Sequence, residues 1–112
     1  MKNLTTLIAG LALLLGQSVA LPGTSGWSDY TTVAELTPSS QQRYTVRLQL
    51  NDNPSGCRSK DTFYQDYTTP GAEQMFRTLL EAVVSGKPVR VYVTGRCELN
   101  GYAEISSVSI AN

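Results

Sequence analysis

The amino-acid sequence predicts a small, mainly β domain with a single helix. Several short segments alternate between apolar and polar residues, which is the period of a half-buried strand. One segment in the second half of the chain instead repeats its apolar residues at helical spacing. Two cysteines, Cys57 and Cys97, lie on either side of that segment and predict a covalent link across the domain.

The first 20 residues have the pattern of a secretory signal peptide. Lys2 supplies a positive start, residues 4–15 form an apolar run, and residues 18–20 have the small-x-small pattern of a cleavage site. A membrane anchor is the alternative, but about 12 apolar residues fall short of the roughly 20 that span a bilayer. We therefore expect a periplasmic or secreted protein whose mature domain is residues 21–112, with no membrane span in it.

Three strands are predicted before the helix, over residues 27–36, 43–50 and 62–67. The first is rich in aromatic and β-branched residues. The second alternates most clearly, and four apolar side chains share one of its faces: Tyr44, Val46, Leu48 and Leu50. A turn over residues 37–42 and a polar loop over residues 51–61 are expected to connect them.

The helix is expected to follow Thr69, which can cap its first turn, with Pro70 at the first helical position. Gly86 should end it in a left-handed conformation, and Pro88 prevents its continuation. The apolar stripe consists of Met75, Phe76, Leu79, Leu80 and Val83. We expect this whole stripe, Leu80 included, to be buried.

Two strands are predicted after the helix. Over residues 89–93 valines alternate with Arg90 and Tyr92, so these two side chains should point away from the core. Over residues 102–111, Ile105 and Val108 lie three apart, which predicts a bulge at Ser106–Ser107.

The predicted order β-β-β-α-β-β is that of a small five-stranded OB-fold-like barrel, with the helix between the third and fourth strands. A generic α+β sheet with one helix is the alternative.

The even cysteine count of an exported chain predicts one disulfide, between Cys57 and Cys97. It would close a loop of about 41 residues, worth roughly 4 kcal/mol in the chain-entropy description. A metal site is disfavoured because two thiols without any histidine supply too few ligands.

The composition argues against several classes of function. Without histidine, Ser-His and Cys-His nucleophile pairs cannot be built. Without Lys2, eight basic side chains face nine acidic ones, so the mature chain has no basic field for nucleic acid. Residues 51–56 (NDNPSG) only faintly resemble a calcium loop and lack its distal glutamate. We predict a non-enzymatic protein that needs no metal or cofactor.

A small hydrolase with two carboxylates stays open as an alternative. The acidic residues are scattered, and no spacing singles out a pair among Asp29, Glu35, Asp61, Asp66, Glu98 and Glu104. We interpret them as solvated surface charges.

Aromatic residues are the strongest indication of a binding surface. The mature chain has Trp27 and six tyrosines, whose apolar rings and polar groups suit sugars and protein interfaces. The alternative is that Tyr44 and Phe63 lie in the core and the other aromatic residues cover the rim of the barrel.

Two segments resemble a known family. The run SGKPVRVYV (85–93) after an amphipathic helix resembles the corresponding segment in the B subunits of subtilase cytotoxin and typhoid-toxin-like AB5 toxins, and WSDYTTVAEL (27–36) is similar to their first strand. The resemblance implies an OB-fold subunit, often a homopentamer beside a toxin A subunit, that binds sialylated glycans. A small exported relative that serves no toxin fits the same residues.

The resemblance also implies where a glycan would bind. Ser28 matches a serine that contacts the sugar in that family. Val93 occupies the position of the family's strand-four tyrosine, and Tyr92 lies next to it. The candidate glycan-binding residues are Ser28, Asp29, Tyr30 and Tyr92. The alternative function is a periplasmic structural or protein-interaction domain that binds no glycan.

Overall fold

The computed structural model describes residues 21–112, so the predicted signal peptide lies outside the described residues. These residues form a compact, mainly β domain with one helix, which confirms the predicted class. The elements are β1 Gly26–Trp27, β2 Val33–Ser39, β3 Arg43–Leu48, β4 Thr62–Asp66, α1 Ala72–Ser85, β5 Val89–Val93 and β6 Ala103–Ile110.

The six strands form one mixed sheet in the order β1-β5-β6-β4-β3-β2. The β4–β6 pair is parallel, and every other neighbouring pair is antiparallel. The edge strands β1 and β2 are joined by residues 28–32, and Thr31 in that link contacts both ends of the sheet. It exchanges backbone hydrogen bonds with Val89 of β5 at 2.7 and 2.8 Å, and its hydroxyl donates to the Gln49 carbonyl, just after β3, at 2.8 Å.

The hydrophobic core lies between the inner face of the sheet and one side of α1. The predicted alternation in β3 is confirmed for Tyr44, Val46 and Leu48, all at most 1% exposed. The valines of β5 are also fully buried, as predicted. The predicted bulge is confirmed as well: Tyr92 pairs with Ser107 and Val93 with Ile105, so Ser106 is an extra residue in β6.

The prediction of one continuous first strand is wrong. Residues 27–36 do not form one strand, because β1 pairs with β5 while β2 pairs with β3 on the far side of the sheet. The chain leaves the first ladder after Trp27 and enters the second at Val33. The predicted turn over 37–42 is also too long, since β2 continues to Ser39. Pro38 is tolerated there because β2 is an edge strand.

The predicted helix cap is wrong as well. Helix α1 begins at Ala72, after Gly71 in a left-handed conformation (φ 79°), and no side chain caps it. Thr69 and Pro70 lie in a tight turn before the helix, where the Ala72 N–H donates to the Thr69 carbonyl at 3.0 Å. The predicted C-terminus is confirmed: Gly86 is left-handed (φ 73°), and its N–H donates to the Ala82 carbonyl.

The buried side of α1 differs from the predicted apolar stripe. The side that faces β2 and β6 carries Ala72, Leu79 and Ala82, which are at most 2% exposed. Leu80 and Val83 are 45% and 47% exposed, so the expectation that they are buried is wrong. Two small alanines allow the helix to approach the sheet closely on their side, and hydrophobicity alone did not identify that side.

The predicted disulfide between Cys57 and Cys97 is confirmed, with 5.5 Å between the Cα atoms. It ties the loop before β4 to the segment after β5. The loop itself is organised by Asn53, whose Oδ1 accepts the Ser55 N–H at 2.9 Å and whose Nδ2 donates to the Lys60 carbonyl at 2.9 Å. The amide side chain of Asn53 thus satisfies backbone groups on both sides of the loop.

Candidate functional site

The outer face of β1 and β5, together with the link that follows β1, carries a cluster that we call the aromatic surface: Trp27, Tyr30, Arg90 and Tyr92. Alternation in β5 places Arg90 and Tyr92 opposite the buried valines. The register of β1 against β5 sets Trp27 directly beside Tyr92. One short strand and one regular strand therefore bring these side chains together.

Arg90 lies at the centre of the aromatic surface. Its Cζ atom is 4.4 Å from the centroid of the Trp27 ring and 5.0 Å from that of the Tyr30 ring. Both distances are typical of cation–π contacts. None of the ion pairs within residues 21–112 includes Arg90. Its positive charge is thus held by rings, with no carboxylate of the described chain to neutralise it.

The rings of the aromatic surface are fixed in orientation while staying accessible. Trp27 and Tyr92 meet edge to face, with centroids 5.4 Å apart and planes at 80°. The Tyr30 hydroxyl lies 3.1 Å from the hydroxyl of Ser109 on β6. Even so, Trp27 is 39% and Tyr30 46% exposed. A ligand would therefore meet a surface that needs little reordering, which lowers the entropic cost of binding.

Ser28, the first predicted site residue, lies beneath this surface and is only 5% exposed. Its hydroxyl accepts the Val91 N–H at 3.1 Å and donates to the Asp29 carbonyl at 3.0 Å. Its own N–H donates to the Val91 carbonyl at 2.8 Å. These bonds extend the β1–β5 ladder by one residue beyond Trp27 and hold that part of the chain against β5.

The other predicted site residues have different positions. Tyr30 and Tyr92 both belong to the aromatic surface, and Asp29 is exposed next to Tyr30. The prediction left out Trp27 and Arg90 as site residues, although Arg90 was expected on the outer face two positions before Tyr92. The partner of Tyr30, Ser109, is 79 residues away and has no signal in the sequence.

The scattered carboxylates are mostly held in ion pairs. Glu98 and Glu104 share Arg96, with Glu104 Oε2 3.8 Å from its Nη1, and the Thr94 hydroxyl donates to Glu104 at 3.0 Å. Asp66 pairs with Arg43 at 2.9 Å. None of these ion pairs involves Arg90. Among the described residues, no three histidine, cysteine or acidic side chains lie close enough together to hold a metal ion.

No protein-family model matches this chain, and no curated protein matches it in sequence. Within residues 21–112, no helix is both long and apolar enough to cross a membrane.

Proposed function

We propose that this chain is an exported, non-enzymatic binding module that recognises a glycan through the aromatic surface. The observation that carries the proposal is the Arg90 guanidinium, which lies between the Trp27 and Tyr30 rings without a carboxylate partner in the described chain. The disulfide fits an oxidising compartment such as the periplasm or the exterior of the cell.

The proposal includes an OB-fold-like barrel. Its support is the parallel pairing of β4 with β6, the helix between β4 and β5, and the contacts of Thr31 with both ends of the sheet. In this description, β1 and β2 are the two halves of one strongly bent first strand that closes the barrel. The resemblance to AB5-toxin B subunits points to the same architecture.

The chemistry of the aromatic surface suits a sugar that carries an acidic group. The apolar face of a sugar ring can pack on Trp27 or Tyr92, since aromatic side chains combine apolar area with little conformational freedom. Arg90 can donate two parallel hydrogen bonds to a carboxylate, such as that of a sialylated glycan. In this proposal Ser28 is a positioning residue, because its hydroxyl holds the chain beside Trp27 against β5.

A glycan array with the mature protein tests the proposal, followed by calorimetry on any glycan that is retained, with and without its sialic acid. Loss of a hydrogen bond to a charged group costs roughly 1.5–3 kcal/mol, so Arg90→Gln should weaken binding about ten- to hundred-fold. Arg58→Gln is the matched control, because Arg58 is an exposed arginine in the loop between β3 and β4, and its side chain bonds only to the Asn100 carbonyl. A folded protein that retains no glycan would reject the proposal.

The Ser28→Ala variant distinguishes two roles of Ser28: a direct contact with the sugar, and holding the chain beside Trp27 against β5. If Ser28 positions the chain, the variant should lose stability, because the Val91 N–H loses its hydroxyl partner, and any weakening of binding should accompany that loss. Weaker binding at unchanged stability would instead support the direct sugar contact that the family resemblance implies.

The second candidate function is a periplasmic protein-interaction domain. It is favoured by the apolar side chains Leu80, Val83 and Val84, which are exposed on α1 and belong to no part of the aromatic surface. A correctly folded protein that retains no glycan on the array would favour this candidate.

A further inference from the structure

Residues 21–24 (LPGT) form a short turn just before β1, which we call the N-terminal strap. The Leu21 carbonyl accepts hydrogen bonds from the Thr24 N–H at 3.2 Å and from the Thr24 hydroxyl at 2.7 Å. Pro22 and the left-handed Gly23 (φ 95°) occupy the two central positions, as in a type II turn. Within residues 21–112, the strap forms hydrogen bonds only inside this turn. Packing alone therefore holds it against the rest of the domain.

The N-terminal strap packs on two glycines that lie beside the disulfide. Gly56 directly precedes one cysteine, and Gly95 lies two residues before the other. A Cβ atom on Gly56 would overlap the Leu21 carbonyl, and one on Gly95 would lie 2.5 Å from the carbonyl carbon of Gly23. The backbones approach this closely only because glycine has no side chain. The strap thus contacts both of the chain segments that the disulfide joins.

The N-terminal strap leads directly into the aromatic surface. Strand β1 begins at Gly26, whose backbone lies against the disulfide-linked loop: a Cβ atom on Gly26 would lie 3.3 Å from Pro54 Cβ. Trp27 is the next residue. On its other side the chain is held by Ser28, whose hydroxyl accepts the Val91 N–H. Trp27 therefore lies between two supports, and the first of them rests on the segments that the disulfide joins.

We propose that the N-terminal strap is redox-dependent: it packs on the domain while the disulfide is intact, and reduction releases it and loosens Trp27. The disulfide fixes the Cα atoms of Cys57 and Cys97 5.5 Å apart, and with them the spacing of the two glycines that the strap contacts. The strap has no hydrogen bonds to the rest of the described chain that would hold it once this spacing changes.

The change on reduction should be local. Two hydrogen bonds join the same loops further along the chain, from the Ser59 N–H and the Arg58 side chain to the carbonyls of residues 100–101. These bonds do not depend on the disulfide, so they continue to link the loops when it is reduced. Reduction should therefore free the strap and leave the sheet and helix in place.

A dithiol reductant supplies the electrons for the release. Cys57 is 2% exposed whereas Cys97 is only partly buried, so a thiolate reaches the bond from the side of Cys97. It attacks Cys97 Sγ, the disulfide bond breaks, and Cys57 leaves as a thiolate that takes up a proton. The second thiol of the reductant then displaces Cys97, which is protonated in turn, and the reductant ends as a disulfide.

Fluorescence of the mature protein tests the release, because Trp27 is the only tryptophan of the chain. Reduction with dithiothreitol should shift its emission to longer wavelength, toward that of the urea-unfolded chain, and should increase its quenching by acrylamide. The far-ultraviolet circular dichroism spectrum should stay native. An unchanged emission spectrum in fully reduced protein would overturn the inference, and so would a reduced chain that unfolds as a whole.

Deletion of residues 21–24 shows whether reduction acts through the strap. The shortened protein should fold, because no hydrogen bond joins the strap to the rest of the described chain. With its disulfide intact it should already show the shifted emission, and reduction should change that emission no further. A shortened protein that keeps the wild-type response to reduction would contradict the inference.

Leu21→Ala is the matched control for the deletion. The strap contacts Gly56 through the backbone of Leu21, and the Leu21 side chain is 67% exposed. The variant should therefore respond to reduction as the wild type does. A variant that responds like the shortened protein would show that the side chain, rather than the packing of the backbone on the glycines, holds the strap.

Only the consequence for a ligand rests on the proposed function. If the oxidised protein binds a glycan, reduction should weaken that binding about ten-fold, because a loosened Trp27 offers a less ordered ring. The two proposals fail separately. An array without any retained glycan would reject the proposed function and leave the fluorescence result valid, whereas an unchanged fluorescence spectrum would reject the redox-dependent strap alone.

Discussion

Two aromatic clusters in this domain differ in how far they are buried. The inner cluster, Tyr44, Tyr67 and Phe76, has ring centroids 5.3–6.3 Å apart and packs where α1 meets the sheet. The aromatic surface on β1 and β5 has similar ring distances but half-exposed rings around a cation. Residue type and ring spacing are therefore alike, and the clusters differ in their most buried member: Tyr44 is 0% exposed, whereas Trp27 and Tyr30 are 39% and 46% exposed.

The difference shows in how polar groups are satisfied. Tyr44 is fully buried, and its hydroxyl donates to Gln65 Oε1 at 2.7 Å, while Gln65 Nε2 donates to the Ile105 carbonyl at 2.9 Å. Every polar atom in this short network needs its neighbour, because water cannot replace it. In the aromatic surface, by contrast, the Trp27 and Tyr30 rings are exposed, and the Arg90 Nε atom is covered without a hydrogen-bond partner in the described chain. The buried part of the inner cluster thus stabilises the fold, whereas the aromatic surface leaves ring faces exposed.

The largest change in unfolding free energy is expected on the side of α1 that faces the sheet, next to the inner cluster. Leu79→Ala should cost about 2–5 kcal/mol of unfolding free energy, because Leu79 is fully buried. Leu80→Ala, one residue further on, should cost less than about 1 kcal/mol because that side chain is 45% exposed. Urea denaturation at low protein concentration measures both. Equal losses would mean that both sides of the helix are buried in the single chain.

Removing one oxygen from the inner cluster should have the next largest effect. Tyr44→Phe leaves Gln65 Oε1 buried without its donor, which should cost about 1–3 kcal/mol. Thermal and urea denaturation both report the loss. A neutral result would show that Gln65 finds another donor or that water enters the core.

Alkaline pH should weaken the fold through the same residue. Burial, followed by the nearby Tyr67, raises the pKa of Tyr44 well above its ordinary value of 10.0. Below pH 10 the hydroxyl keeps its proton in both states, and its contribution to stability is fully present. As the pH rises above 10, the unfolded chain ionises while the folded one does not, so stability falls.

Urea denaturation at a series of pH values across that range measures this loss. It should be smaller in Tyr44→Phe but not absent, because burial also raises the pKa of Tyr64. An unchanged pH dependence in Tyr44→Phe would show that the Tyr44 hydroxyl does not contribute to the loss of stability at alkaline pH.

The smallest effect is expected from the same substitution in the aromatic surface. Tyr30→Phe removes the contact with the Ser109 hydroxyl, but water can replace it at a side chain that is 46% exposed. The unfolding free energy should change by no more than about 0.5 kcal/mol. A loss as large as that of Tyr44→Phe would show that burial is not what separates the two clusters.

Local patterns in the sequence predicted much of the fold. The alternation in β3 and β5, the end of the helix at Gly86, the bulge near Ser106 and the Cys57–Cys97 disulfide were all correct. Each depends on a simple rule: side chains alternate along a strand, glycine tolerates a left-handed conformation, and two cysteines allow only one disulfide. The outward direction of Tyr92 followed from the same alternation.

Only the tertiary structure decided which surfaces meet. The sequence could not show that Ser28 would be enclosed by β5, because hydrogen-bond partners 63 residues away leave no local pattern. Nor could hydrophobicity alone show that the sheet would bury Leu79 and leave Leu80 exposed, since both leucines fit one apolar stripe and only the approach of the alanine side of the helix distinguishes them. The sequence by itself thus determined β3, β5, the end of the helix and the disulfide, because strand alternation and a glycine helix end depend on neighbouring residues and two cysteines allow only one pairing. Long-range packing determines three other features: the break in the first strand, the side of the helix that is buried, and the assembly of the aromatic surface. These features are visible only in the folded chain.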